Sequence, residues 1–224
     1  MNEKRLTSTQ RGTSPGQTII GIDLDNTLVC YDGLFHRTAC EEGLIELSTP
    51  KSKERIRDTI RLLSHGEDKW TRLQAIVYGP QMSRAAAFEG CEDFLRHCSV
   101  RGTRALIVSH KTPSANLDGK QVDLRESALA WMRAKKFFES DGCGLSPEDV
   151  FFESTRSEKI ERIRSLGCTH FIDDLAEVFT ENTFPRDITK LLFAPHGARI
   201  DTPGIELFKT WRELDEFFFH DERR

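Results

Sequence analysis

The sequence has no apolar run long enough to cross a bilayer, a crossing that takes about 20 residues. Its six cysteines form no CxxC pair and no Cys/His cluster with the spacing of a zinc site. The 32 Lys and Arg residues are outnumbered by 36 Asp and Glu residues, which gives a net charge of −4. Because nucleic-acid-binding proteins usually carry an excess of basic charge, we expect no nucleic-acid partner, and we expect no membrane segment.

Residues 1–17 are polar and lack the apolar stretch of a secretory signal. They include the turn-forming sequence Thr13-Ser14-Pro15-Gly16, so we expect a mobile tail. A chain that is not secreted keeps its thiols reduced, and we therefore expect a cytoplasmic protein. Each cysteine is then expected to be a small buried apolar side chain.

Five short runs rich in β-branched and aromatic residues are predicted to be buried strands. They are continuous apolar runs rather than alternating ones, which is typical of a parallel sheet covered by helices on both faces. The predicted strands cover residues 18–23, 105–109, 150–152, 171–173 and 190–193.

Helical patterns lie between these strands. Cys91, Phe94 and Cys98 share one helix face, and similar stripes follow in residues 124–135 and 160–166. Strands that alternate with helices form parallel βαβ units with right-handed crossovers. The predicted fold class is therefore α/β, a doubly wound, Rossmann-like parallel sheet whose ligands bind at the carboxyl ends of its strands.

One stretch, residues 36–88, breaks the alternation because it contains helical patterns and no predicted strand. Within it, Thr49 followed by Pro50 is typical of a helix start. We therefore expect a helical insertion inside the α/β core rather than a second tandem domain. The predicted organisation is a tail at 1–17, a core at 18–35 and 89–224, and a helical cap insertion at 36–88.

Polar residues end three of the predicted strands. The first strand runs into Asp23-Leu24-Asp25-Asn26-Thr27, the second ends at Ser109, and the fourth ends at Asp173-Asp174. Lys159 begins the helix after the third strand, where residues 155–158 fit a capping box. Because the carboxyl ends of parallel strands meet at one edge of a sheet, we expect these side chains to lie close together.

Such a group of side chains suits phosphoryl chemistry. Crowded carboxylates repel one another unless a hard cation lies between them, and Mg²⁺ prefers oxygen ligands. A lysine and a hydroxyl facing the same place add donors for an anion. In such a pocket one carboxylate can attack phosphorus to form an aspartyl-phosphate, and a second can donate a proton to the leaving group.

These motifs resemble those of the haloacid dehalogenase superfamily, in the family's order and across residues 18–193. The matches are Asp23 to Thr27 for the DxDx(T/V) motif, Ser109 for the Ser/Thr motif, Lys159 for the lysine motif and Asp173-Asp174 for the acidic pair. The resemblance implies the haloacid dehalogenase type of α/β fold with an inserted helical cap.

The resemblance implies roles for the four carboxylates. Asp23 would be the nucleophile and a Mg²⁺ ligand. Asp25 would be the general acid and base, and its backbone carbonyl would also bind Mg²⁺. Asp173 and Asp174 would complete the metal site, with the choice of the direct ligand left open. Dehalogenating members lack the second aspartate of the first motif, so the presence of Asp25 favours phosphoryl transfer.

The resemblance also implies groups that bind the phosphoryl oxygens. Ser109 and Lys159 would hold the transferring group, and Thr27 would support the loop that surrounds it. His110 is a further candidate phosphate ligand. For both His110 and Lys111, however, substrate contact and an ordinary place in a loop are equally open.

The place of the insertion implies the size of the substrate. The family inserts its helical C1 caps between the first motif and the Ser/Thr motif, and capped members generally act on small phosphorylated metabolites. The resemblance thus implies a Mg²⁺-dependent phosphatase acting on a small phosphate monoester.

Residues 24–34 resemble the family's mobile flap, with Gly33 as a pivot, and residues 112–122 leave room for a small excursion.

Three alternatives stay open from the sequence. A phosphotransferase or mutase would pass the phosphoryl group to a sugar hydroxyl instead of water. A non-catalytic module would use the same pocket to bind a phosphorylated ligand. A phosphatase that processes nucleic-acid ends would need the basic surface that the net charge of −4 does not favour. The identity of the substrate and the oligomeric state are not predicted.

Overall fold

The computed structural model describes residues 17–198 and 202–219. The predicted mobile tail, apart from its last residue, lies outside these ranges. None of the helices within them combines the length and the apolar character that a membrane crossing requires. In chain order the elements are β1 (Ile19–Ile22), β2 (Val29–Cys30), α1 (Asp32–Glu41), α2 (Lys53–Arg61), α3 (Gly66–Tyr78), β3 (Ala86–Ala87), α4 (Cys91–Arg101), β4 (Arg104–His110), β5 (Ser114–Leu117), β6 (Lys120–Asp123), α5 (Leu124–Ala134), β7 (Val150–Glu153), α6 (Arg156–Ser165), β8 (His170–Asp173), α7 (Ala176–Thr180), β9 (Thr189–Phe193), β10 (Ile205–Phe208) and α8 (Trp211–Phe219).

A six-stranded parallel sheet forms the centre of the molecule, in the order β10-β9-β8-β1-β4-β7. The chain moves outward from β1 in one direction through β4 and β7, and in the other through β8, β9 and β10. The strand β1 is therefore the point at which the winding reverses, where ligands bind in sheets of this kind. The doubly wound α/β class is confirmed. The edge strand β10, in which only Phe208 is buried, was not predicted.

Both faces of the sheet are covered by apolar side chains. Alternate residues of β1 enter two separate clusters, Ile20 and Ile22 on one face and Ile19 on the other. Gly21 lies between them in the register pair with Phe171. A Cβ atom on Gly21 would lie 2.6 Å from the Phe171 ring, so this position accepts only glycine without movement of the aromatic ring.

The helical insertion, residues 31–85, joins β2 to β3, which pair as a short antiparallel ribbon. The structure differs from the prediction at several points here. The helix α1 begins at Asp32, ahead of the predicted boundary at residue 36, and Gly33, the predicted pivot, lies in its first turn. Ser52 rather than Thr49 caps α2, because its side chain accepts a hydrogen bond from the Arg55 amide.

Aromatic side chains hold the insertion together, and a shared apolar cluster attaches it to the core. Phe35 of α1 stacks on Trp70 of α3 with ring centroids 5.2 Å apart. Tyr31 packs edge-on against Tyr78 at 4.9 Å. These helices share one apolar cluster with the sheet face that carries Ile22. The insertion is thus packed onto the core near the carboxyl edge of the sheet.

A hairpin of β5 and β6 supplies the predicted small excursion between residues 112 and 122. Its turn, Asp118-Gly119, has positive φ at both residues, as two-residue hairpin loops favour. The Asp118 carboxylate accepts two hydrogen bonds of 3.0 Å from Arg72 of α3. Arg72 also pairs with Glu42, so the hairpin and the loop after α1 are tied to the same helix.

Candidate functional site

The site is built on the carboxyl ends of three adjacent strands, β8, β1 and β4. Asp23 follows β1 directly, and its amide donates a 2.9 Å hydrogen bond to the Ile172 carbonyl of β8. Asp173 ends β8, and Ser109 lies near the end of β4. Asp23, Asp173 and Ser109 are all buried, so the predicted meeting of strand ends at one edge is confirmed.

A tight turn after β1 brings the second aspartate over this edge. The amides of Leu28 and Val29 both donate 3.0 Å hydrogen bonds to the Leu24 carbonyl. Asn26 adopts φ of 61°, a left-handed conformation that asparagine tolerates better than most residues. The turn reverses the chain within a few residues, and Asp25 is left at the rim of the site with its carboxylate partly exposed.

Lys159 lies at the centre of the site. Its position is fixed by the capping box that the sequence predicted, in which the Thr155 side chain accepts from the Glu158 amide and Glu158 reaches back to the cap. The Lys159 ammonium then donates to Asp23 Oδ1 at 2.6 Å and to Asp173 Oδ2 at 2.7 Å. A single buried cation therefore bridges carboxylates from two strands.

Burial dominates the electrostatics of this cluster. It raises the pKa of Asp23, and the charges of Asp173 and Asp25 add to that rise while Lys159 opposes it. Burial, Asp173 and Asp23 likewise hold the pKa of Asp174 well above its usual range. For Lys159, burial lowers the pKa, but the two carboxylates outweigh it and the pKa is raised. Negative charge is thus in excess here.

The same carboxylates have the form of a site for a hard cation. One oxygen from each of Asp23, Asp173 and Asp174 lies within 4.8 Å of the others. Carboxylate oxygens suit Mg²⁺, and a divalent cation would compensate the negative charge that contributes to the raised pKa of Asp23 and Asp174. The donor set therefore fits the metal that the sequence predicted.

Asp25 is held by two side chains at the rim. The Lys111 ammonium donates to both carboxylate oxygens, at 3.0 and 2.8 Å, and the Tyr31 hydroxyl donates to Oδ1 at 2.7 Å. Lys111 is itself buried and lies 5.1 Å from the centroid of the Tyr78 ring. Of the two residues after Ser109, it is Lys111 that reaches the site.

The other predicted phosphate ligands occupy different surroundings. Ser109 and Thr27 are fully buried, and within the described part of the chain neither hydroxyl has a hydrogen-bond partner. His110 is exposed, and its Nε2 lies 3.0 Å from the Ser154 carbonyl. Side chains alternate across a strand, so His110 points away from the side on which Ser109 is buried.

Three residues of the insertion border the site and were not identified from the sequence as site residues. Tyr31 and Tyr78 line the rim beside Asp25, and Lys53 of α2 lies with its ammonium 5.5 Å from the Tyr78 ring centroid. A signal for Lys53 was present, because it falls on the same helix face as Ile56 and Ile60. A lysine at the start of an apolar stripe is directed towards a buried environment.

The sequence matches no family model, and it matches no curated protein sequence. Its structure is similar to several solved structures. A Had-superfamily hydrolase from Ehrlichia chaffeensis is 16% identical, aligns 90% of this chain with 95% of its own and gives a TM-score of 0.53. A HAD family hydrolase from Deinococcus radiodurans R1, solved with bound phosphate and sodium, is 17% identical over the same shares, also with a TM-score of 0.53.

A third solved structure, described as a dehalogenase, is 12% identical, aligns 90% of this chain with 97% of its own and gives a TM-score of 0.55. Likeness at such identities concerns the fold. The chain therefore has the fold of the haloacid dehalogenase superfamily hydrolases, as the motifs in its sequence predicted. The choice between phosphatase and dehalogenase chemistry rests on this chain's own residues.

Proposed function

We propose that this protein is a Mg²⁺-dependent phosphatase that hydrolyses a small phosphate monoester through an aspartyl-phosphate on Asp23. The observation that carries the proposal is the buried Asp23 carboxylate, which accepts a hydrogen bond from Lys159. Lys159 also donates to Asp173, and Asp25 lies at the rim of the site, two residues after Asp23 in the chain. This arrangement offers a nucleophile, a cation for the phosphoryl oxygens and a separate group for proton transfer.

In the first step Asp23 attacks phosphorus and the ester oxygen leaves with a proton from Asp25. Lys159, already bonded to Asp23, stabilises the negative charge of the transferring group, and the Ser109 hydroxyl donates to one of its oxygens. In the second step Asp25 takes a proton from water, which attacks phosphorus, releases phosphate and frees Asp23. Lys111 and Tyr31 keep the Asp25 carboxylate in place through both steps.

The metal would be held by Asp23, Asp173, Asp174 and the backbone carbonyl of Asp25, and it would neutralise charge on the phosphoryl group. The carboxylates support this assignment because their oxygens lie close together, and because burial and neighbouring negative charge raise the pKa of Asp23 and Asp174, an effect that a bound cation would offset. Magnesium is favoured over softer metals because the donor set is made of oxygen atoms.

Two features of this chain favour phosphoryl transfer to water from a small substrate. Asp25 supplies the acid and base group that the dehalogenating members of the superfamily lack. The insertion places Tyr31, Tyr78 and Lys53 at the rim beside Asp25, and a rim covered in this way favours a small leaving group over a macromolecule. The six free thiols are compatible with the reducing cytoplasm as the place of action.

The test is a phosphate-release screen over a panel of small phosphate monoesters with Mg²⁺, with chelator and with Asp23→Asn. We expect turnover that chelator abolishes and that Asp23→Asn lowers by about a thousandfold or more, since the nucleophile is removed. Asp58→Asn is the matched control, because Asp58 is an exposed carboxylate of α2 paired with Arg57. Halide release from a 2-haloacid without phosphate release would overturn the proposal, and phosphate retained on an organic product would reassign the acceptor.

A further inference from the structure

Lys53 is the first residue of α2 and lies at the interface between the insertion and the sheet edge. Its ammonium is 5.6 Å from the centroid of the Phe35 ring and 5.5 Å from that of Tyr78. The side chain is partly buried. Two aromatic rings therefore hold a cation in a defined place beside the site, because ring faces attract a positive charge at such distances.

Lys53 differs from the other two lysines of the site in how its charge is compensated. Lys159 contacts two carboxylates and Lys111 contacts one, at distances between 2.6 and 3.0 Å. Within the described residues, no carboxylate lies within the 4.0 Å salt-bridge distance of the Lys53 ammonium. Burial lowers the pKa of Lys53, but Tyr78 and the more distant Asp174 and Asp25 outweigh that effect and raise it.

An ammonium group has three N–H donors, and within the described residues no carboxylate takes up those of Lys53, so this group can bind an anion. The Lys53 and Lys111 ammonium groups lie 5.5 and 5.1 Å from the centroid of the same Tyr78 ring, and Lys111 is hydrogen-bonded to Asp25, which is assigned to proton transfer. Lys53 therefore lies on the side of the site that the leaving group would occupy. An anionic substituent on the leaving group of a substrate would reach the Lys53 ammonium and form an ion pair with it.

We propose that the substrate carries a second anionic group, a carboxylate or a phosphate, besides the phosphate that is cleaved, and that Lys53 binds this group. The inference rests on the proposed phosphatase function and narrows its substrate class. Lys53 acts as a specificity residue, since the reacting phosphoryl group is held by Lys159. Lys111 does not bind this second anionic group, because both of its short contacts are with the Asp25 carboxylate.

The test uses three substrates with the same two-carbon frame: 2-hydroxyethyl phosphate, phosphoglycolate and ethylene glycol bisphosphate. They differ only in whether the far end carries a hydroxyl, a carboxylate or a phosphate. The measured quantity is the ratio of kcat/KM for each anionic substrate to that for the hydroxyl substrate. We expect wild type to favour at least one anionic substrate by about 10- to 100-fold, the usual gain from a charge-assisted hydrogen bond.

Lys53→Met should reduce that ratio to within about threefold of unity, and Lys53→Arg should retain most of it because the charge remains. Lys51→Met is the matched control, as Lys51 is an exposed lysine two residues away whose loss changes the net charge equally. It should leave the ratio unchanged. Comparing kcat/KM for phosphoglycolate with that for ethylene glycol bisphosphate shows which anion the site prefers.

A ratio near unity in wild type, or a ratio that Lys53→Met leaves intact, would overturn the inference while phosphatase activity stands. If no phosphate ester is turned over, the proposed function fails, and thermal stabilisation of Asp23→Asn by the same compounds decides the inference instead. Stabilisation by phosphoglycolate or the bisphosphate that exceeds that by hydroxyethyl phosphate, and is lost with Lys53→Met, would support it. Equal or absent stabilisation would overturn it.

Discussion

The sheet edge and the helical insertion both present charge to the site, and they do so with opposite sign. At the sheet edge, Asp23 and Asp173 contact Lys159 and Asp174 lies beside them, so the carboxylates outnumber the cation. On the insertion, Lys53 lies on aromatic rings without a carboxylate contact in the described residues.

This difference separates the two tasks of the site. An excess of buried carboxylate calls for a metal ion, and the metal and nucleophile can serve any phosphate ester. A lysine without a carboxylate contact can bind an anion of the ligand, and in the proposed function this anion would select among phosphate esters. In the proposed function, the sheet edge would therefore carry out the phosphoryl transfer and the insertion would select the substrate.

The largest expected effect on stability comes from removing the central cation. Lys159→Met leaves Asp23 and Asp173 buried without their shared partner, and we expect a loss of about 3–5 kcal/mol in the free energy of unfolding without divalent ions. Chemical denaturation in the presence of chelator measures it. Because the metal site is proposed to bind the same carboxylates, 10 mM Mg²⁺ should restore part of the loss.

Lys111→Met is the matched comparison at the rim. Asp25 keeps the Tyr31 hydrogen bond and is partly exposed, so the expected loss is smaller, about 1–2 kcal/mol, with little recovery in Mg²⁺. Equal losses for the two variants would show that the sheet edge is no more dependent on its cation than the rim. The expected difference in stability loss between removing the buried cation and removing the cation at the rim would then be wrong.

Most of the core could be predicted from the sequence because its signals are local. A parallel strand buried on both faces must be a continuous apolar run, and the motif residues follow directly where those runs end. The edge strand β10 escaped prediction since only one of its four residues is fully buried, which weakens the apolar pattern. The two-residue strand β3 is too short to carry any periodicity and forms only by pairing with β2.

The site residues that the insertion contributes could not be predicted in the same way. Its helices were visible from their apolar stripes, but the approach of Lys53 and Tyr78 to Asp25 depends on how those helices pack across the ribbon. That packing joins residues far apart in the chain, as in the contact of Lys111 with the Tyr78 ring. Similarly, the choice of Lys111 over His110 was set by which side of the strand faces the cluster.

The pH dependence of Asp174→Asn tests the excess of negative charge at the sheet edge. Since burial and two neighbouring carboxylates raise the pKa of Asp174 in the folded state, folding takes up a proton there. Stability of the metal-free protein should therefore fall as pH rises from about 4 through the folded pKa. The variant lacks this penalty and should unfold about 2–4 °C higher than wild type at pH 8 in chelator.

That advantage should shrink to a few tenths of a kcal/mol near pH 4 and disappear below about pH 3, where Asp174 is protonated in the folded and unfolded states alike. With Mg²⁺ at pH 8 the order should invert, because wild type gains the energy of metal binding and the variant loses a ligand. Asp58→Asn, an exposed carboxylate, should show neither effect. An Asp174→Asn variant less stable than wild type in chelator at pH 8 would contradict the charge excess.

The smallest expected effect concerns how the insertion is attached. Arg72 of α3 joins Asp118 of the hairpin and Glu42 of the loop after α1, but all three side chains are substantially exposed. Exposed pairs contribute little because water screens them, so Arg72→Ala should lower Tm by at most about 2 °C. Arg57→Ala, which removes a pair within α2 alone, should not change it measurably. The apolar packing of the insertion against the sheet is then what fixes the insertion, and the selectivity proposed for Lys53 should survive Arg72→Ala. A large loss of stability together with loss of that selectivity would show instead that the surface ion pairs position the insertion over the site.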